Sequence, residues 1–370
     1  MGNIPVFDLT RQYSVIGKEI EEEVRKVLSS GNYILGSVVE KFEAEFAKYC
    51  GSKFAIGVAS GTDALVIGLR AAGIKPGDEV IIPSFTFFAT GEAVANVGAA
   101  PVFADVDLDT MCIAADEFEK RITSRTRAAI PVHLFGHPAP MTEIMEIARK
   151  RNIVVIEDAC QAVGTKLGTS KAGALGHIGA FSFFPTKNLG AAGDGGAMTT
   201  NDENIDAVSR KLRSHGSAKK YMNEMLGYNS RLDAVQAAAL SVKLRYLDKL
   251  NQNRWMNAKL YRELLGDANQ IILPTEASDV YHTYHQYTIR LLNGKRDALK
   301  EHLAKQGIGA MIYYPIPVHK LGPFAGSISD DELPNTMTLS QQVLSLPIFP
   351  ELTRNEIETV ASVIKEFFIK

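Results

Sequence analysis

The chain has 370 residues, a length that suits two domains or one large domain with a smaller one. Apolar residues make up 46% of the sequence and charged residues 22%, which is typical of a globular protein with a full core. The formal net charge is −2, so the chain lacks the basic surface that nucleic-acid binding requires. Composition therefore argues against a nucleic-acid-binding protein.

Three cysteines, Cys50, Cys112 and Cys160, are widely spaced and odd in number, which argues against a disulfide framework and a zinc knuckle. The N-terminus lacks the apolar segment of a signal peptide. The most apolar long stretch, residues 80–104, contains Glu92 and two prolines, which excludes a transmembrane helix there. We therefore expect a cytoplasmic protein with isolated, reduced thiols and no bound metal.

Apolar periodicity predicts an amphipathic helix over the first thirty residues and a second helix over 38–49. Strands and helices alternate from there. Strands are predicted at 54–58, 79–83, 102–105, 128–134 and 153–157, and helices at 62–72, 86–97 and 141–150. Short apolar strands that alternate with helices indicate an α/β fold with a mainly parallel sheet covered on both faces.

The pattern changes near Gly164. Strands predicted at 179–184 and 195–200 are separated by a glycine-rich loop of ten residues, which is too short for a crossover helix, so we expect an antiparallel or irregular insertion. Further predictions are a long helix at 232–250, strands at 286–291 and 310–314, and helices at 296–306 and 355–369. We predict a large domain with its N-terminal segment over residues 1–250 and a small α+β domain over 251–370.

Three segments at predicted strand ends carry chemically useful residues. The motif Ser-Gly-Thr-Asp-Ala-Leu at residues 60–65 starts a helix, whose free N–H groups suit either a phosphate group or a plain helix cap. Asp158 ends an apolar strand, where open α/β sheets bind ligands; it fits either a partner for a buried cation or a helix cap. Lys187 lies among aromatic residues and glycines, where it is either a desolvated nucleophile or a solvated loop lysine.

Taken together, these segments provide what pyridoxal 5′-phosphate (PLP) requires: a phosphate site, a carboxylate for the pyridine nitrogen, and a lysine that binds the aldehyde. Phe87, at the start of a predicted helix, fits either a ring stacked on the cofactor or a core aromatic residue. The combination favours a PLP enzyme more than any one segment does.

The motifs at 60–65, 157–162, 182–190 and 227–233 resemble those of the PLP-dependent nucleotide-sugar aminotransferases of the DegT/DnrJ/EryC/StrS group. The resemblance covers nearly the whole chain and implies the type I PLP fold of aspartate aminotransferase. It also implies transfer of an amino group from L-glutamate, by way of pyridoxamine phosphate, to a nucleotide-linked keto-sugar. The product would serve the biosynthesis of amino sugars for lipopolysaccharide or other glycans.

The resemblance also implies roles for individual residues. Lys187 would bind the cofactor aldehyde and then move the proton, Asp158 would pair with the pyridine nitrogen, and Gln161 would contact the 3′-hydroxyl group. Phe87 would stack on the ring. The implied phosphate site consists of Gly61, Thr62, Asp63 and Ser182, with Asn229 from the other subunit of a homodimer. Some family members have histidine at the lysine position and act as dehydratases, so Lys187 favours transamination.

The substrate side is implied by shorter motifs. The run Asn-Ser-Arg-Leu-Asp at 229–233 is similar to the subgroup that acts at C-3 of a keto-hexose, with C-4 as the alternative. Tyr313, Tyr314 and His319 resemble the sugar-side loop or are structural. Candidate contacts to the nucleotide-sugar, as opposed to solvated side chains, are Lys219, Lys220, Tyr221 and Arg231. The nucleotide would be dTDP or UDP.

Two other functions are alternatives to this one. The first is a non-catalytic PLP-binding regulator, which would not need the proton-moving Lys187 or Asp158. The second is a type I PLP enzyme acting on amino acids, which usually has an arginine for the substrate α-carboxylate. Turnover of a nucleotide-sugar would separate these hypotheses.

Overall fold

The computed structural model describes residues 3–219 and 221–369. The helices are α1 (Leu9–Ser30), α2 (Ser37–Cys50), α3 (Gly61–Ala71), α4 (Phe88–Asn96), α5 (Ala115–Lys120), α6 (Met141–Arg151), α7 (Glu203–Leu212), α8 (Ala234–Leu265), α9 (Arg296–Lys305), α10 (Pro334–Gln342) and α11 (Arg354–Ile369). Within this described part of the chain, none of the helices has the length and apolar character needed to cross a membrane.

The strands are β1 (Phe54–Val58), β2 (Glu79–Pro83), β3 (Ala100–Ala104), β4 (Thr126–Ala129), β5 (Val154–Asp158), β6 (Lys166–Leu167), β7 (Ser170–Lys171), β8 (Ile178–Ser182), β9 (Gly196–Thr200), β10 (Ser217–Lys219), β11 (Met222–Asn223), β12 (Ile271–Ile272), β13 (Val280–Tyr281), β14 (Tyr287–Leu291) and β15 (Val343–Leu346). Seven of them form the main sheet, in the order β1-β9-β8-β5-β4-β2-β3. Strand β9 is antiparallel to β1 and β8, and the other neighbours are parallel. The predicted antiparallel insertion is therefore confirmed.

The main sheet is covered on both faces. Val155 and Ile156 are consecutive in β5 and belong to different cores, because successive strand residues point to opposite faces. Ile156 packs in the core that includes Ile67 of α3, whereas Val155 packs in the core that includes Ile144 of α6. Burial on both faces explains why these strands read as continuous apolar runs, and the predicted α/β architecture is confirmed.

A second core lies around the three-stranded antiparallel sheet β12-β14-β15. It takes in residues of α9 and α11, the C-terminal part of α8 and, from the N-terminal segment, Ile4. Helix α8 continues unbroken past residue 250, so the predicted domain boundary falls inside a helix. The division into 1–250 and 251–370 stays a prediction.

Several predicted elements differ from the structure. The strand predicted at 128–134 ends at Ala129 as β4, and the helix predicted at 232–250 extends to Leu265 as α8. The helix within residues 1–30 begins at Leu9, where the Asp8 carboxylate caps it by accepting from the Thr10 N–H at 2.9 Å; Met1 and Gly2 lie outside the described residues. The strand predicted at 310–314 is wrong. Met311 forms an isolated bridge to Ser345, and the chain then turns toward a cavity beside the main sheet.

Candidate active site

A cavity of about 360 Å³ lies where the parallel strands of the main sheet have their carboxyl ends. Side chains that follow β1, β2, β5 and β8 meet there because parallel strands end at the same sheet edge. The cavity brings together most of the predicted site residues: Gly61, Thr62, Phe87, Asp158, Gln161, Ser182, Lys187, Tyr313 and Tyr314. The turn after Met311 supplies the two tyrosines.

The first turn of α3 borders the cavity. Ser60 is the N-cap residue, and its Oγ accepts a hydrogen bond from the Asp63 N–H at 3.1 Å. Gly61 lies so close to the end of β8 that a Cβ there would be 2.7 Å from Cβ of Ser182. This leaves a helix N-terminus with free N–H groups and no side chain in front of it, which suits a phosphate group. The Asp63 carboxylate accepts from Ser230 Oγ at 2.7 Å, and Asp63 does not line the cavity.

Asp158 is the last residue of β5 and is 6% exposed. Its Oδ2 accepts a hydrogen bond from Thr90 Oγ1 at 2.9 Å, and its Oδ1 accepts from the Cys160 N–H at 3.2 Å. Both donors are neutral groups, so they hold the carboxylate in place without balancing its charge. The carboxylate has lone pairs left for a cationic N–H in the cavity.

Gln161 and the aromatic residues form another wall of the cavity. Gln161 Oε1 accepts from the Phe135 N–H at 2.8 Å, and its Nε2 donates to the hydroxyl of Tyr314 at 3.0 Å. Phe87 is 55% exposed, and its ring centroid is 6.0 Å from that of Tyr314. An exposed aromatic ring at a cavity mouth is available to stack on a planar ligand.

Lys187 lies on the loop after β8 and is half-buried. Its Nζ has no hydrogen bond or ion pair within residues 3–219 and 221–369. Burial lowers the pKa of the Lys187 amine below that of an ordinary lysine, although Cys160 and Asp158 oppose the shift. A larger share of the amine is therefore neutral and nucleophilic at a given pH.

Glu157 precedes Asp158 and points to the opposite face of β5. It is fully buried, and its carboxylate accepts from three backbone N–H groups, those of Gly173, Leu175 and Gly176, at 2.6–2.9 Å. His133 Nδ1 accepts from a backbone N–H, so His133 Nε2 carries the proton and donates to Glu157 Oε2 at 2.9 Å. Glu157 is thus a structural residue that ties β5 to the loop before β8.

The sequence did not single out two cavity residues, His285 and Gln286. Burial, together with the positive charges of Lys187 and Arg254, lowers the pKa of His285 well below its usual value. The imidazole is therefore neutral. The only signal in the sequence was the position of this histidine next to a predicted strand at 286–291.

The structure corrects the prediction that His319 contacts the substrate. His319 is 2% exposed, its Nδ1 is 2.6 Å from Ser84 Oγ, and its Nε2 is 3.1 Å from Asp330 Oδ1. Both ring nitrogens are occupied by partners within the fold, and the ring packs against Phe103. His319 therefore has a structural role in this chain.

Four other predicted residues lie away from the cavity. Lys219, Tyr221 and Asn229 are exposed, and Arg231 is half-buried and donates a hydrogen bond to Asn229. Tyr221 is 87% exposed, at the hairpin β10–β11. Lys220 lies outside the described residues. A single chain therefore does not bring the described residues of this group to its own cavity.

The cavity groups fit PLP. An unpartnered amine, a buried carboxylate with free lone pairs, and an open helix N-terminus match the aldehyde, the ring nitrogen and the phosphate group of that cofactor. Lys187, Asp158 and the first turn of α3 would hold these three parts.

Known proteins resemble this chain over its whole length. A model of the DegT/DnrJ/EryC1/StrS aminotransferase family matches residues 14–365. A pleiotropic regulatory protein of Geobacillus stearothermophilus is 45% identical over 99% of both chains. A UDP-N-acetyl-3-dehydro-α-D-glucosamine 3-aminotransferase of Acidithiobacillus ferrooxidans is 45% identical, over 98% of this chain and 97% of that one. A dTDP-3-amino-3,4,6-trideoxy-α-D-glucose transaminase of Streptomyces venezuelae is 42% identical, over 98% and 96%.

Solved structures agree with this assignment. The crystal structure of S. venezuelae DesV in complex with a ketimine intermediate covers all of both chains, with a TM-score of 0.97 and 42% identity. The structure of NtdA from Bacillus subtilis with bound pyridoxamine phosphate covers 100% of this chain and 86% of that one, with a TM-score of 0.93 and 32% identity. The chain belongs to the DegT/DnrJ/EryC1/StrS aminotransferase family and is a PLP-dependent transaminase.

Proposed function

We propose that this transaminase moves an amino group from L-glutamate to C-3 of a nucleotide-linked 3-keto-hexose, with dTDP or UDP as the nucleotide. The residues that line the cavity are the observation that supports a sugar substrate. Among its described lining residues there is no arginine, and Lys187 is the one basic side chain that is not a histidine. A site built for amino acids alone would hold the α-carboxylate with a fixed cation of its own.

The position of the new amine is supported by two observations. The chain has the run Asn-Ser-Arg-Leu-Asp at 229–233, which resembles the C-3 subgroup. The names of two relatives, at 45% and 42% identity, place the amino group at C-3 of a UDP- or a dTDP-linked sugar. Neither observation favours C-4, which is therefore the outcome that the product analysis must exclude.

PLP, when bound, supplies an aldehyde for the amino group and a ring that withdraws electrons from the reacting carbon. The Asp158 carboxylate keeps a proton on the ring nitrogen, because a buried negative charge favours the protonated form. Gln161 is held by Phe135 and Tyr314 and presents its amide to the cofactor hydroxyl. Phe87 would cover one face of the ring, and Thr62, Ser182 and the α3 N-terminus, which line the same cavity, would bind the phosphate.

Lys187 moves the proton at the reacting carbon. Among the described residues, no hydrogen bond or ion pair to its amine would have to be broken, and its lowered pKa makes it a better base near neutral pH. Tyr313 and Tyr314 lie across the cavity, where their hydroxyls and rings can contact the sugar. Of the 313–320 segment, Tyr313 and Tyr314 would contact the sugar, and His319 would not.

We also propose a homodimer in which each copy completes the site of the other. The diphosphate of the substrate needs cations that one chain does not place in its own cavity. Lys219 and Arg231, with Tyr221 and Asn229, lie near or on an exposed hairpin that carries exposed apolar side chains at Met222 and Leu226. Such a surface suits contact with a second copy.

We also propose a cytoplasmic location for this reaction. Cys50, Cys112 and Cys160 are unpaired, which suits a reducing compartment, so we place the reaction in the cytoplasm. The amino-sugar would then enter lipopolysaccharide or another glycan. A purely regulatory role, as in the name of one relative, is not favoured because Lys187 and Asp158 are both in place.

The two half-reactions can be followed separately by absorbance. The purified holoenzyme should lose its violet absorption band when L-glutamate is added, and regain it when a nucleotide-linked 3-keto-hexose follows. Recovery with amino-acid keto acids but with none of the keto-sugars would refute the sugar substrate. A band that glutamate does not change would refute the donor.

A further inference from the structure

A buried hydrogen-bond network lies behind the Lys187 loop. Asn188, which follows Lys187, donates from Nδ2 to Asn251 Oδ1 of α8 at 2.8 Å and to the Thr283 carbonyl at 3.2 Å. A carbonyl oxygen can only accept, so it sets the orientation of the Asn188 amide. The Oδ1 of Asn188 is therefore an acceptor. Asn188, Asn251 and Thr283 are each less than 9% exposed.

His285 completes this network. Its Nδ1 is 3.1 Å from Asn188 Oδ1, and because Oδ1 cannot donate, Nδ1 must carry the proton. The pKa of His285 is lowered by burial and by the charges of Lys187 and Arg254, so the ring is neutral. The network thus selects one tautomer, in which Nε2 holds a free lone pair.

Nε2 is the nitrogen that a ligand can reach. The His285 ring lines the cavity together with Lys187, and its Nδ1 is engaged by Asn188. Among the residues that the structure describes, Nε2 has no hydrogen-bond partner. A neutral nitrogen with a lone pair attracts an O–H group and repels the oxygen of a carboxylate, which can only accept.

We propose that His285 is a specificity-determining residue whose Nε2 accepts a hydrogen bond from a sugar hydroxyl on a carbon next to the keto carbon. Lys187 must reach the reacting carbon, and its charge acts on His285 in the wall of the same cavity, so we assign the recognised hydroxyl to a carbon next to the keto carbon. Asn188 and Asn251 are positioning residues that hold the tautomer. The proposal rests on the function proposed above and specifies which substrate group that site recognises.

Two substitutions separate the acceptor from the shape of the ring. His285→Phe keeps a planar ring without an acceptor, and His285→Gln supplies an acceptor oxygen. For a 3-keto-hexose with both neighbouring hydroxyls, kcat/KM should fall about tenfold or more in His285→Phe and recover most of that loss in His285→Gln. The rate of the glutamate half-reaction should stay within about twofold in both variants, because glutamate offers no hydroxyl.

A keto-sugar that lacks the recognised hydroxyl gives a second comparison. The wild-type enzyme should lose about the same factor on removal of that hydroxyl, at C-2 or at C-4, and His285→Phe should lose nothing further. His302→Phe is the matched control, since His302 packs against Phe367 in the second core and does not line the cavity. It should leave both half-reactions unchanged.

The tautomer can be read without turnover by ¹⁵N NMR of protein labelled at histidine. The wild-type His285 should show a proton on Nδ1 and none on Nε2, and the Nε2 resonance should shift with the keto-sugar nucleotide but not with glutamate. A proton on Nε2, or equal losses in both half-reactions of His285→Phe, would overturn the proposal. Failure of the wild-type enzyme to use any keto-sugar would instead overturn the proposed function, while the tautomer would still be measured.

Discussion

Glu157 and Asp158 are consecutive residues of β5, yet they lie in opposite kinds of environment. The Glu157 carboxylate is enclosed and accepts from three backbone N–H groups and His133, whereas Asp158 has two neutral donors and faces a cavity that holds an unpartnered lysine. Buried polar groups normally find partners within the fold. A buried carboxylate whose hydrogen bonds are all satisfied within the fold, such as that of Glu157, has a structural role. A buried carboxylate with unsatisfied hydrogen-bonding capacity that faces a cavity, such as that of Asp158, is available to bind a ligand.

The largest expected effect is at the unpaired amine. Lys187→Ala should reduce transamination by about 10³-fold or more, because it removes both the nucleophile and the base. The free energy of unfolding of the cofactor-free protein should change by less than about 1 kcal/mol, since Nζ makes no hydrogen bond or ion pair in the described part of the chain. Single-turnover absorbance and urea unfolding measure the two quantities.

Lys187→Arg serves as the control for charge, because it keeps a cation but cannot bind the aldehyde. It should be as inactive as Lys187→Ala. Multiple turnovers by either variant at the wild-type rate would show that Lys187 is not the base.

Asp158→Asn should separate activity from stability. The amide can still accept from the Cys160 N–H and donate to Thr90 Oγ1, whose hydroxyl can turn to Thr86, so the fold should lose no more than about 1 kcal/mol. Both half-reactions should slow by about 10²–10³-fold, because the charge that keeps the ring nitrogen protonated is gone. Stopped-flow absorbance of each half-reaction checks this, and unchanged rates would exclude the role of Asp158.

Glu157→Gln is the matched change at the neighbouring carboxylate, and the opposite result is expected. Each oxygen of Glu157 accepts from two of the four buried donors, so an amide nitrogen in either place leaves two donors facing another N–H group, which should cost about 2–4 kcal/mol of unfolding free energy. The rates of the protein that remains folded should change by less than about tenfold. A stable Glu157→Gln protein that has lost its activity would reverse the comparison between the two carboxylates.

A smaller effect tests whether a second copy completes the cavity. Chains with Lys187→Ala and chains with Asn229→Ala are mixed after denaturation and refolded together. Half of a random mixture is heterodimer with one intact site of two, so about a quarter of the wild-type activity should return. Asn229→Ala alone must be clearly impaired and the subunits must exchange. With both conditions met, no recovery would mean that Asn229 serves its own chain.

Features that depend on local pattern could be predicted from the sequence, and those that depend on distant contacts could not. The strands at 54–58 and 79–83 agree residue by residue with β1 and β2, because each strand is largely buried on both faces and its central residues are apolar. Lys187 and Asp158 meet because parallel strands end at one edge.

The incorrect and missed residues depend on pairing across the fold. His319 looked like a sugar contact, but its bonds to Ser84 and Asp330 become visible only in three dimensions. The 310–314 strand failed because the chain turns after Met311 to bring Tyr313 into the cavity. His285 was missed because its role depends on Asn188, which is 97 residues away in the sequence.

The position of the transferred nitrogen in the product shows directly whether the enzyme aminates C-3 of a nucleotide-linked keto-hexose. The holoenzyme is incubated with ¹⁵N-labelled L-glutamate and a dTDP- or UDP-linked 3-keto-hexose, and the product is examined by NMR. We expect the ¹⁵N label to be bonded to C-3 of the sugar. Label at C-4 in the product of a 4-keto substrate, with no turnover of any 3-keto-sugar, would contradict it.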